Sequence, residues 1–166
     1  MELISTDRLS EVLFTEPAQE IRKLELRDHY EIDRELFDAW KSGDEETVAT
    51  TMAGSREDSR KREARGFEYR RVRVISEPLS EYQRMAIEIA NPAERLRWLP
   101  RPRASTLALP VNDCLIRNDL VIFILLDGEN QQAGCQLSTD PAVIRFCNEA
   151  FDHAWDHAIP NGEYQP

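Results

Sequence analysis

The stretch from Arg70 to Arg84, RRVRVISEPLSEYQR, constrains the fold more than any other part of the chain. Val72, Val74 and Ile75 are β-branched and suit a pleated core. Pro78 cannot continue a strand ladder, and it restricts Glu77 to extended geometry. Ser80 stands where a helix N-cap belongs. The pattern predicts a buried strand, a tight Glu-Pro turn and then a helix. Polar side chains gather where the strand ends: Glu77, Ser80, Tyr82 and Arg84. In α/β folds ligands bind at the carboxyl ends of strands, so a site is expected at this turn, without a reaction attached to it.

Other elements follow from periodicity. Leu9, Val12 and Leu13 suggest a short helix within Ser5 to Thr15. Ile21, Leu24 and Leu26 suit a strand, though a helix fits almost as well. Ile32, Leu36, Phe37 and Trp40 keep helical spacing, and Gly43 ends that helix. Residues 47–65 carry the charge run REDSRKREAR and read as a solvated helix stopped by Gly66, with partial disorder as the alternative. A strand is expected over Glu68 to Ser76, a helix over Ser80 to Ala90, and a short strand at Leu96, Trp98 and Leu99. Asp113 to Arg117 and Leu120 to Leu126 form a hairpin around Asn118-Asp119. A further strand runs near Ala133 to Leu137.

The last helix has Thr139 or Asp140 as its cap and Pro141 in its first turn. Its apolar stripe runs through Val143, Ile144, Cys147, Phe151, Ala154, Trp155 and Ala158. Trp155 is expected to be a principal core anchor. The fold class is therefore α/β (α+β mixed), a central mixed sheet with helices packed on it and the C-terminal helix among them. One domain is expected over 1–166, with a helical, acidic part at 1–66 and a sheet core at 67–166.

The 166 residues carry a net charge of −10. Residues 1–58 hold 16 acidic and 7 basic residues, 59–103 hold 6 and 12, and 104–166 hold 9 and 2. The local nets are −9, +6 and −7, which follow from those counts. The overall charge predicts no direct nucleic-acid binding. The basic middle either pairs with the chain's own acidic ends, the favoured reading, or meets a small anionic ligand or an acidic partner. No apolar run reaches the roughly 20 residues that span a membrane. No signal peptide is read at the start, and Cys114, Cys135 and Cys147 lack CxxC spacing. A cytoplasmic setting with reduced thiols is expected.

From RVRVISEPLSEYQR onward the chain resembles an uncharacterised, mainly actinobacterial family, domain of unknown function 6879. The resemblance continues through ERLRWLPR, through LALPVNDCLI with its ND turn, and through TDPAVIRFCNEAFDHAWDHAIPNGEY. It is close from about Glu68 to Tyr164 and weaker through RDHYEIDRELFDAWKSGD. Cys114 stands where an aromatic is usual, and Ile124 lies near an often-seen His. The resemblance implies a partner of helix-turn-helix regulators in regulatory gene pairs. The order of elements also looks like half of a phospholipase-D-type domain, a plan shared by ligand-sensing halves of some transcription regulators. Catalytic members need a His-x-Lys pair, in which His attacks phosphorus and Lys holds the phosphoryl oxygens. The corresponding Pro110 to Cys114 has neither residue, so that chemistry is not expected.

His153 and His157 stand at i, i+4 beside Asp152 and Asp156, a spacing that can bind zinc. They fall opposite the apolar stripe with no third ligand evident, and a solvated face is the favoured reading. No metal and no cofactor are expected. The candidate ligand- or partner-binding residues are Glu77, Tyr82, Arg84, Arg97 and Asp113. Glu77, Tyr82, Arg84 and Arg97 are expected to converge at one sheet edge, as an anion clamp or, the favoured form, an internal ion-pair lock. The leading functional reading is a non-enzymatic regulatory or ligand- and partner-binding module working with a helix-turn-helix regulator. One rival is an enzyme using Glu77, Tyr82, Arg84 and Asp113 around the EPLSEY turn. The other is the antitoxin-like half of a toxin–antitoxin pair.

Overall fold

The structure is a computed structural model describing residues 1–166. An 8-stranded mixed sheet forms its centre. In chain order the strands are β1 Glu2–Ile4, β2 Glu20–Glu25, β3 Glu68–Ile75, β4 Arg95–Pro100, β5 Cys114–Ile116, β6 Val121–Leu126, β7 Gln132–Ser138 and β8 Ile159–Pro160. The helices are α1 Leu9–Leu13, α2 Arg34–Ser42, α3 Glu45–Ala64, α4 Glu81–Glu88, α5 Arg101–Ala104 and α6 Pro141–His157. The spatial strand order is β1-β7-β6-β5-β2-β3-β4-β8. β2, β3 and β4 run parallel, and every other neighbouring pair is antiparallel.

The mixed α/β class and the principal elements follow the sequence pattern. Ser80 and Gln83 form a reciprocal capping box at the start of α4, which satisfies two orphan N–H groups. Asp140 caps α6 by accepting from the Ala142 N–H. Gly43 and Gly66 sit at φ 77 and 86 after α2 and α3, a region where a side chain would be strained. The edge strands β1 and β8 and the short α5 lie outside the sequence expectations.

Alternation along the strands sorts side chains onto two faces. Leu24, Val72, Val74, Leu99, Cys114 and Ile116 share one face with Cys147, Phe151 and Ala154 of α6, and these residues form the main core. Trp155 is only half-buried there. The Arg97 guanidinium lies 4.3 Å from its ring centroid and donates to its backbone oxygen. Trp98, 1% exposed, is the buried tryptophan instead. It sits on the opposite face with Ile75, Leu96, Ala86 and Tyr164, because residue 98 has the opposite strand parity to Leu99.

Candidate functional site

On the face away from α6, apolar packing occurs at two ends. Ile21, Leu115 and Ile122 pack with Leu13 of α1 and with Phe67. Ile75, Leu96 and Trp98 pack with Ala86 of α4. Between these clusters β2 and β3 present Lys23, Glu25, Tyr69, Arg71 and Arg73. A strip of charge therefore crosses a sheet face that helices cover, where an apolar stripe is the usual filling.

Glu25 is the centre of the strip and is 5% exposed. Lys23 Nζ lies 2.8 Å from its carboxylate, and Arg71 Nε and Arg73 Nε each lie 3.5 Å away. Burial favours the neutral acid, but the three cations outweigh it and hold Glu25 far below the usual carboxylate range. Arg71 also meets Glu94 at 3.1 Å. The buried Nε of Arg71 and Oε2 of Glu25 face each other without hydrogen-bond geometry, so their attraction is Coulombic.

The strip continues through phenols. Arg73 donates to the Tyr82 hydroxyl at 3.4 Å, and Tyr82 donates to Asp33. The Arg73 guanidinium also lies 5.5 Å from the Tyr30 ring centroid. Tyr30 donates to Asp113 Oδ2 at 2.6 Å, while Asp113 Oδ1 accepts from the Leu26 N–H at 2.8 Å. Burial raises the Asp113 pKa, and those two hydrogen bonds oppose the shift. Burial and the Glu25 and Asp113 carboxylates push the Tyr30 phenol far above its ordinary value.

Above this strip stands α3, a 20-residue helix with no buried residue. Beneath it is a cavity of about 820 Å³ whose floor includes Tyr69, Arg71 and Arg73. A second cavity of about 430 Å³ lies toward the start of α3 and shares Met52, Arg56 and Ile89 with the first. Val48, Met52, Ser55, Ser59 and Arg62 recur at alternating spacings of four and three, so they form one stripe along α3. All five line one or other cavity.

The sequence-selected residues fall into separate environments. Tyr82 and Asp113 belong to the strip, linked through Arg73 and Tyr30. Glu77 is exposed at the far end of β3 and accepts from the Tyr164 hydroxyl at 2.8 Å. The Arg84 side chain is exposed and has no hydrogen bond or ion pair, because the buried face of α4 runs through Tyr82, Met85 and Ala86. Arg97 lies on the α6 face against Trp155. The expected convergence of Glu77, Tyr82, Arg84 and Arg97 is thus corrected by strand parity and helix phase. His153 and His157 are both exposed, and no group of three or more metal-ligating side chains gathers.

The basic middle does pair with the acidic N-terminal part. Arg70 meets Glu20, Arg73 meets Glu25, and Arg101 meets Asp28. Asp28 also accepts from the Ser76 N–H at 3.0 Å and from Gln83 at 2.7 Å, tying together the ends of β2 and β3 and the start of α4. Lys23, Glu25, Arg71, Arg73, Tyr30 and Asp33 were not singled out from sequence. The signal available was the R-V-R-V alternation of β3, which gives one apolar and one charged face.

These features define an α/β domain whose mixed sheet has an apolar core on one face and a charged, partly unfilled layer on the other. The chain belongs to the family described as Domain of unknown function (DUF6879), whose model matches residues 8–166. No curated protein matches the chain. Among solved structures it is similar to TrmBL2, an archaeal chromatin protein whose structure is described as showing a novel mode of DNA binding. Identity is 18%, the TM-score is 0.46, and the match covers 96% of this chain and 52% of that one. The chain thus spans about half the length of that protein. The expectation of no direct nucleic-acid binding conflicts with the DNA binding described for that protein and is dropped. It rested on net charge, which sums over a whole surface, whereas contact depends on local charge.

Proposed function

We propose that the chain is a single-domain, cytoplasmic, non-enzymatic regulatory module that takes a small anionic ligand beneath α3 and works with a helix-turn-helix regulator. The observation that carries this reading is α3 itself. A mostly polar helix with no fully buried residue gains little from packing, yet this one roofs a cavity of about 820 Å³, within the size range of small-molecule sites. Arginines line both roof and floor, which favours an anion. The family resemblance supports the helix-turn-helix partner. An enzyme at the EPLSEY turn has less support, because Glu77, Arg84 and the Tyr82–Asp113 network have separate surroundings.

Native mass spectrometry of the purified chain, mixed with a small-metabolite extract, tests the proposal. A 1:1 adduct is expected, absent in Ser55→Trp, which fills the cavity from the α3 side. The released ligand should have unchanged mass. No adduct, an adduct retained by Ser55→Trp, or a chemically altered product would each reject this function.

A further inference from the structure

Resting on that ligand-binding reading, we infer that the ligand is an amphipathic monoanion, with its head near Arg62 and its apolar body toward Met52. The stripe that α3 turns to the cavities changes character along its length. It begins with Val48 and Met52, passes through Ser55 and Ser59, and ends at Arg62. At 1.5 Å per residue, Met52 and Arg62 are separated by about 15 Å along the axis. Opposite the apolar end lie Leu36, Met85 and Ile89, and Trp40 extends this wall into the second cavity.

The charge balance identifies the head group. In the floor Lys23, Arg71 and Arg73 share Glu25 and Glu94, three cations against two carboxylates. Arg95 pairs with Glu68, and Arg60 pairs with Glu57. Asp33 accepts from the neutral Tyr82 hydroxyl and so keeps its charge. Arg56 and Arg62 are left without a carboxylate partner, against Asp33 and Glu63, the lining acids without a cation partner. These four balance, so the third floor cation leaves the site with a surplus of one positive charge. Arg62 is half-buried and held in place, 5.1 Å from the Phe14 ring centroid and 5.9 Å from that of Tyr69, while donating to Ser59 at 3.2 Å. Its orientation is fixed before any ligand arrives, which lowers the entropic cost of binding.

Calorimetric titration with octanoate, octanol, octylammonium and inorganic phosphate tests the assignment. Octanoate should bind at least about tenfold more tightly than any of the other three, as one charge-assisted hydrogen bond implies. Arg62→Gln should weaken octanoate about tenfold and leave octanol unchanged. Met52→Glu should weaken both. Circular dichroism checks folding, and Ser59→Glu, one turn from Arg62, replaces Arg62→Gln if that variant does not fold and should weaken octanoate but not octanol. Equal affinity for octanol and octanoate, or octylammonium or phosphate binding as tight as octanoate, would each overturn the inference. If one of these occurs while Ser55→Trp still removes a native adduct, the head assignment fails and the ligand cavity stands. If the adduct is absent as well, both fail.

Discussion

Replacing Glu25 by Gln tests whether the charged strip is held by that carboxylate. The change keeps the shape of the side chain and removes its charge. Three cations then lose a counter-charge. Arg71 retains Glu94 at 3.1 Å. Lys23 has a side chain 27% exposed and can turn toward water. Arg73, with a side chain 11% exposed, has neither escape. Breaking a buried ion pair from one side costs about 3–5 kcal/mol. With one of three cations fully stranded, the expected loss is at the low end, about 3 kcal/mol. For a chain of this length that lowers Tm by about 6–12 °C. Thermal and urea unfolding at pH 7 measure it, and adding Arg73→Met should recover part of the loss, because the stranded charge is then gone. Glu25 titrates lower folded than unfolded, so its contribution is complete above the unfolded value of about 4.3. It is lost as pH falls toward the folded pKa. The gap between native and variant should therefore narrow below about pH 4.3. A Tm drop under about 2 °C at pH 7 would be less than 1 kcal/mol and would refute the reasoning. So would a gap that stays constant on acidification.

Trp98→Ala should cost about 3–5 kcal/mol in urea unfolding, and Trp155→Ala only about 1–2 kcal/mol, because Trp155 is half-buried; the reverse order would contradict the assignment of faces. Arg84→Ala should leave stability within about 0.5 kcal/mol, since the side chain is exposed and unpartnered; a loss above that would mean Arg84 has a structural role. Asp113→Ala removes the acceptor of both the Leu26 N–H and the Tyr30 hydroxyl and should cost about 2–4 kcal/mol; an unchanged unfolding midpoint would show that these donors find other partners.

Much of the fold was legible because local pattern and tertiary environment agree. β3 has β-branched residues at alternate positions, α4 has its cap three residues before Gln83, and α6 has an uninterrupted stripe from a Pro-started turn. β1 and β8 were not legible. Strands of three and two residues carry no usable period, and they form because β7 and β4 offer open edges. The candidate site was only half legible. Tyr82 and Asp113 do enter one network, but Glu77, Arg84 and Arg97 were chosen for their nearness to a strand end in sequence. Parity alone separates Arg97, which shares a face with Leu99, from Arg73, which shares one with Ile75. Helix phase alone turns Arg84 away from the face of Tyr82, Met85 and Ala86. The R-V-R-V alternation of β3 resembles a strand with one face in water. Both faces are in fact covered, and that depends on where α2 and α3 return over the sheet.

That coverage explains why α3 buries nothing. Lys23, Glu25, Arg71 and Arg73 place four charges on the sheet face beneath it. Glu25 and Arg73 are already buried, and a helix packed flat on the four would strip the remaining water from Lys23 and Arg71 as well, at several kcal/mol per ion unless geometry is near ideal. The Arg71–Glu25 contact, with both atoms lacking a hydrogen bond, is not ideal. Standing off is therefore the lower-energy arrangement for α3. The gap stays open to water, and the inward stripe of α3 needs no apolar residues beyond Met52. Ser55, Ser59 and Arg62 are the residue types such a gap permits. The charged strip and the polar helix are thus one feature, and replacing the strip with apolar residues should draw α3 down and close the cavity.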